Sequence, residues 1–122
     1  MSLQVETRLS DQLARYLDLA ATETKLTAAN MANIDTPGYR AVGMDFEAEM
    51  REAMDGVDGG RAPRQVRLKA VDGLIARPDG NDVSMDRESL NLAQAQLKFK
   101  VGVALLRVEN EKVMDAIHAD SK

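Results

Sequence analysis

Catalysis needs converging nucleophiles, bases or metal ligands, and this sequence supplies few of them. His118 is the only histidine and cysteine is absent, so neither a thiolate nucleophile nor a disulfide nor a His/Cys metal site can be assembled. No phosphate-cradling loop, nucleophile elbow or Cys-His pair is present. The densest acidic group, Asp45, Glu47, Glu49 and Glu52, scatters around a helix at that spacing and reads as a solvated face rather than a set of cation ligands. Arg61, Arg64, Arg67 and Lys69 form a basic patch, but no aromatics interleave with it as a single-stranded nucleic-acid platform would require. The whole chain carries 20 acidic against 16 basic residues, which also argues against a phosphate backbone as partner. The two patches have opposite signs and could pair within one chain or between neighbours. No enzyme, cofactor or metal is expected; what remains is the chemistry of hydrogen bonding and packing.

The most constrained stretch for that chemistry is 28–40, Ala-Ala-Asn-Met-Ala-Asn-Ile-Asp-Thr-Pro-Gly-Tyr-Arg. Pro37 lacks an amide proton and pushes Thr36 toward extended geometry, so a helix must stop before it. Pro37-Gly38 then reads as the central pair of a type II turn, with Gly38 taking the positive φ. Asn30, Asn33 and Tyr39 are placed to make polar contacts at the helix end.

Two long helices must hold this turn. The first is expected over 8–35, where Leu9, Leu13, Tyr16, Ala20, Thr24, Thr27, Met31 and Ile34 form one stripe with a soft threonine middle. Met1 to Thr7 carry no period and read as a tail. After the turn, Phe46, Met50 and Met54 recur four apart in a short helix that Asp45 can cap. Gly56 to Pro63 reads as a linker. Residues 65–71 alternate polar and apolar, Asp72-Gly73 offers a turn, and Leu74-Ile75-Ala76 can return, which predicts a small β-hairpin. Asp79-Gly80-Asn81 is another turn, and Ser84 or Asp86 is a suitable N-cap for a helix over 84–118. The expected fold is therefore mostly α, one elongated domain over 1–122. Two long antiparallel terminal helices make a coiled-coil-like hairpin, with the turn, short helix, linker and small β-hairpin of 36–83 between them. Only Tyr16, Tyr39, Phe46 and Phe99 are aromatic, so seams of Leu, Val, Met and Ala must supply the packing.

The last helix carries two apolar stripes. At ~100° per residue, Leu90, Ala93, Leu97, Val101, Ala104 and Val108 gather on one side, and Leu92, Ala95, Phe99, Val103, Leu106, Val113 and Ile117 on the other. One partner helix cannot cover both. The expectation is that Leu90, Leu97, Val101, Ala104 and Val108 pack within the chain, and that Leu92, Phe99, Gly102, Leu106, Val113 and Ile117 meet another subunit unless the middle region folds over them. Ala28, Ala32, Gly102 and Ala104 are small enough to let helices approach closely. No apolar run reaches the roughly 18 residues of a membrane span, and no basic region followed by an apolar core marks a signal peptide.

The spelling adds a resemblance. Ala28, Asn30, Ala32, Asn33, Thr36, Gly38 and Tyr39 fit A-x-N-x-A-N-x-x-T-x-G-Y, and with Pro37 this segment resembles the N-terminal signature of the flagellar rod and hook axial proteins. Tyr39-Arg40-Ala41, Asp45-Phe46, then Asp79-Gly80-Asn81-Asp82-Val83 leading into Met85-Asp86-Arg87-Glu88 are similar to the proximal-rod FlgB family over nearly the whole chain. Ala93, Gln96, Leu97, Lys98 and Phe99 approximate that family's A-x-x-Q-L-K-Y, with Phe99 where tyrosine is common. The FlgC type shares the first signature but ends in a different C-terminal pattern. The resemblance implies a structural subunit of the proximal rod of the bacterial flagellar basal body, polymerising helically through its terminal helices into part of the drive shaft for motility. It implies export through the type III apparatus to the periplasmic rod without a cleaved signal peptide. Implied partners are other copies of itself, rod proteins of the FlgC and FlgF types, the FliE adaptor, and the export gate or MS ring at the rod base; no nucleic acid is among them, and the chain itself does not span a membrane. The alternatives are another rod protein such as the FlgC type, or a soluble coiled-coil adaptor or chaperone-like module, since paired amphipathic helices alone fit that too.

Overall fold

The structure is a computed structural model that describes residues 7–120. It is mostly α, as the periodicities require. Helix α1 spans Arg8–Ala32, α2 spans Phe46–Asp58 and α3 spans Met85–Asp120, with two short strands, β1 Val42–Gly43 and β2 Lys69–Ala70, in the segments between. At ~1.5 Å per residue α1 is about 37 Å long and α3 about 54 Å. They run antiparallel. Thr7 beside Glu109, Leu17 beside Gly102 and Glu23 beside Lys98 mark the register.

Each helix starts at a side-chain cap. Thr7 was expected to belong to a tail. Its hydroxyl instead accepts from Ser10 N at 3.0 Å and donates to Glu109 Oε1 at 2.9 Å, which ties the start of α1 to α3. The remainder of that tail lies outside the described residues. Asp45 caps α2 by accepting from Ala48 N at 3.0 Å, with Glu47 and Glu49 in the first turn where the helix dipole favours them. Ser84 Oγ accepts from Arg87 N at the start of α3. The threonines in the middle of α1 are absorbed locally: the Thr22 and Thr24 hydroxyls donate to the Asp18 and Ala20 carbonyls one turn back.

Two expectations for the middle region are corrected. Gly56 to Asp58 belong to α2 rather than to a linker, because Gly56 is buried against α1, where an added Cβ would lie 3.5 Å from Arg15. The helix then ends in a Schellman motif: Gly60, at φ +66°, donates to Val57 O, and Arg61 N donates to Gly56 O. The β-hairpin within 65–76 does not form. Strand β2 pairs antiparallel with β1, Val42 opposite Ala70 and Gly43 opposite Lys69, and Val71 N donates to Ala41 O. The returning segment stays irregular, with Ile75 91% exposed. β1 is the better partner because it leaves the 28–40 turn already anchored to α1 through Asn30, whereas 74–76 has no such support.

Helix α2 packs against α1 on one flank of the α1–α3 pair. Its Phe46 ring meets Tyr16 edge to face at 5.8 Å and lies under Lys98 Nζ, 3.9 Å from the ring centroid. Among the described residues the buried apolar ones are Leu13, Leu19, Ala20, Ala41, Val83 and Ala95, a thin core for three helices. Among the described residues no helix is long and apolar enough to cross a membrane.

Candidate functional site

The two sequence signatures lie far apart in the chain, and the fold brings them into one hydrogen-bonded node. Pro37-Gly38 does form the turn its sequence demands: Gly38 sits at φ +74° and Tyr39 N donates to Thr36 O at 3.2 Å. Asn30 is buried on the last turn of α1. Its Nδ2 donates to Val42 O at 2.8 Å, and its Oδ1 accepts from both Val42 N at 3.0 Å and the Tyr39 hydroxyl at 3.1 Å. One asparagine thus holds the strand after the turn by both backbone groups. Asn33 stays local, donating to Ala29 O and accepting from the Thr36 hydroxyl.

The second signature closes over the first. Asn81 is wholly buried; its Nδ2 donates to Asn33 O and Thr36 O, each at 2.8 Å, and its Oδ1 accepts from Val83 N at 2.8 Å. Asp82, also buried, accepts from Ala41 N at 2.6 Å and faces Arg40 at 3.5 Å. Gly38 N donates to Asp79 O, Asp82 N donates to Tyr39 O, and Arg77 reaches the carbonyls of Val83 and Ile34. At Gly80, a Cβ would stand 3.3 Å from Gly38 Cα, so the two turns touch backbone to backbone. The node therefore pins the end of α1 to the start of α3. Ala28, Ala32, Thr36, Pro37 and Gly38 remain on its surface, so Ala28 and Ala32 do not serve contact within the chain.

The two stripes of α3 exist, but their roles inside the chain are the reverse of the expectation. Ala95 and Gly102 are buried against α1, with Leu92, Val103, Leu106 and Val113 half-buried on the same side, while Phe99 and Ile117 stay 41% and 44% exposed at its margins. Gly102 explains the choice: an added Cβ would lie 2.6 Å from Leu17 Cδ2 and 2.9 Å from Tyr16 Cδ1, so this is the face that admits α1 at close range. The stripe expected to pack within the chain is outside. Leu90, Leu97, Val101 and Val108 are 59%, 63%, 45% and 48% exposed, Ala104 is exposed with them, and Leu105 joins them at 51%. Spacing had not flagged Leu105.

The charged groups are also more organised than a solvated face. Glu49 is buried, 3.2 Å from Arg67 and 3.7 Å from Arg64, and Glu52 lies 3.3 Å from Arg64. The acidic and basic patches pair inside the chain, and Arg8 meets Asp58 at 2.6 Å. Glu88 is buried on the first turn of α3; Oε1 meets Arg87 at 3.1 Å and Oε2 has no hydrogen-bond partner. Burial raises the Tyr16 phenol above its ordinary 10.0, and the Glu23 carboxylate adds to the effect. Among the described residues no three His, Asp or Glu side chains converge to hold a metal ion.

No family model matches the chain. Curated relatives do. The chain is 36% identical over 119 residues to the flagellar basal body rod protein FlgB of Salmonella typhimurium, covering 83% of this chain and 86% of the relative. It is 33% identical over 129 residues to the FlgB of Cereibacter sphaeroides, covering 93% and 99%. To the FlgB of Escherichia coli it is 26% identical over 121 residues, covering 84% and 88%.

Proposed function

Since the chain belongs to the FlgB family of flagellar basal body rod proteins, we propose that it is a structural subunit of the proximal rod, polymerising helically through α1 and α3 into part of the shaft that transmits motor torque. The reading has the protein build a structure rather than catalyse a reaction. The observation that carries it is the outer stripe of α3. Leu90, Leu97, Val101, Leu105 and Val108 are exposed along about 27 Å of one helix face, a contiguous patch of a kind monomers rarely leave open. With α1 on the inner face, a neighbouring subunit is the natural cover for the outer one, and a contact between different faces propagates instead of closing.

On this reading the subunit leaves the cytoplasm through the flagellar type III apparatus without a cleaved signal and joins the periplasmic rod. Its neighbours are copies of itself, rod proteins of the FlgC and FlgF types, the FliE adaptor, and the export gate or MS ring beneath. Leu97→Glu with Val101→Glu tests it. Both residues are exposed, so the purified variant should keep the helical circular-dichroism signal and unfolding midpoint of the parent. In cells lacking the parent gene it should fail to restore swimming. Full swimming with the variant present in isolated basal bodies would remove the outer stripe from the interface and the reading with it.

A further inference from the structure

The outer stripe is one free surface; a second lies on the flank of the α1–α3 pair that α2 leaves uncovered. There Ala21, Thr24 and Lys25 of α1 and Gln96, Phe99 and Lys100 of α3 line an open groove of about 570 Å³, with no residue of α2 or the loops in its walls. Its floor is the 41%-exposed Phe99 ring, and its charges are all positive. Neither Lys25 nor Lys100 pairs with a carboxylate among the described residues, although Lys98, two residues before Lys100, is taken by Glu23.

A surface of matching chemistry sits on α2. Phe46, Met50 and Met54 line a shallow trough along that helix, bordered by Glu47, Arg51 and Asp55. The other acids of α2 are already neutralised, Glu49 and Glu52 by Arg64 and Arg67, and Asp58 by Arg8. Glu47 and Asp55 have no such partner among the described residues. Arg51 lies four residues from each and leaves the trough with a net charge of minus one. Two flexible methionines facing an aromatic ring make favourable sulfur–aromatic contact, and two unpaired carboxylates facing two unpaired lysines supply register.

We propose that the Met50/Met54 face of α2 in one copy docks into the Phe99 groove of the next copy. This rests on the assembly reading above and deepens it: it names the two faces that meet. The groove and the trough are different surfaces of one chain, so the contact is head-to-tail and repeats along an assembly. The half-buried Ala21 and the exposed Ala28 and Ala32, on the same side of α1 as the groove, leave room for the incoming helix.

The chain contains no cysteine, which makes directed cross-linking clean. Full-length variants carrying Gln96→Cys, Met54→Cys, or both would replace the parent in cells, and isolated basal bodies would be treated with a short bismaleimide. The proposal expects a ladder of cross-linked multimers from the double variant, a single dimer band from a mixture of the two single variants, and none from either alone. Adding Lys25→Glu and Lys100→Glu should weaken the ladder by about tenfold or more, and Glu47→Lys with Asp55→Lys should restore it. Dimers from a single variant alone, products containing only another rod polypeptide, or no product from basal bodies that hold the double variant would each overturn the contact while leaving the rod assignment standing. Absence of the parent chain from basal bodies would overturn both.

Discussion

Substituting Gly102 gives a quantitative test of the helix seam. A methyl added there would lie 2.6 Å from Leu17 Cδ2, 2.9 Å from Tyr16 Cδ1 and 3.0 Å from Tyr16 Cε1, well inside the ~3.5–4.0 Å optimum for carbon pairs. Two effects oppose each other. Alanine is the better helix former by about 1 kcal/mol, while overpacking a seam costs about 1–3 kcal/mol. The Leu17 tip can rotate away. The Tyr16 ring has less freedom, because it stands edge-on to Phe46, which is itself held under Lys98. The steric effect should win: Gly102→Ala is expected to lose about 1 kcal/mol, and Gly102→Leu on the order of 3 kcal/mol or more, since the larger side chain forces the helices apart. Urea unfolding of the purified subunit, followed by far-ultraviolet circular dichroism, measures both. Leu17→Ala removes the nearest atom, so the Gly102→Ala/Leu17→Ala pair should be less destabilised than the sum of its parts by about 1 kcal/mol. If Gly102→Ala instead gains the full helix-propensity increment and shows no coupling to Leu17, the close approach is absent and the assignment of the inner stripe fails.

Three further outcomes are expected. Asn81→Ala removes three hydrogen bonds, leaving the amide of Val83 without its partner and the carbonyls of Asn33 and Thr36 with their backbone donors only; unfolding should show a loss of about 3 kcal/mol, and a loss under about 1 kcal/mol would mean the node does not join α1 to α3. Glu88→Gln keeps the shape and ends the desolvation of a carboxyl group whose Oε2 has no partner, while the partly exposed Arg87 that it releases can rehydrate, so its urea midpoint should equal or exceed the parent's, and a large drop would mean that the ion pair with Arg87 outweighs that desolvation. Because the Tyr16 phenol is raised in the folded chain, the unfolded chain loses that proton first as pH increases, and stability should fall above pH 10; Tyr16→Phe should remove that part of the alkaline decline in melting temperature, and an unchanged decline would assign it elsewhere.

Local chemistry was readable wherever a residue acts on its own neighbourhood. Helix α1 stops before Pro37, Gly38 takes positive φ, Asp45 caps α2, and two stripes appear on α3 because each follows from backbone geometry or helical period. What failed required a partner distant in sequence. Residues 65–71 read as a strand, but the short return at 74–76 was the wrong mate, because Asn30 anchors Val42 across twelve residues and prepares a better edge. Glu49 read as solvated because a helical wheel does not show that the chain after α2 returns with Arg64 and Arg67. The stripe roles were exchanged for a related reason. Period gives two apolar faces and not their order; the signal lay in the smallest residues, since Ala95 and Gly102 are the positions of α3 buried against α1 and Gly102 is where the two helices come closest.

That distribution of sizes bears on how stability is divided between subunit and assembly. The seam is close but thin: among the described residues its buried apolar side chains are Leu13, Leu19, Ala20 and Ala95, two of them alanines. The ends of α1 and α3 are held by polar geometry instead, through Asn30, Asn81 and Asp82. Such a node fixes register without using the large apolar side chains, which leaves Leu90, Leu97, Val101, Leu105 and Val108 for another surface. These five residues are already about half covered, and covering a Leu or Val fully stabilises by about 1.5–3 kcal/mol, so burying the rest of the stripe contributes about 4–8 kcal/mol, comparable with the ~5–15 kcal/mol net stability of a whole domain. On the rod reading, a substitution on the outer face and one in the polar node should therefore separate cleanly: Leu97→Glu leaves a folded subunit that does not assemble, whereas Asn81→Ala depletes the folded subunit before assembly begins.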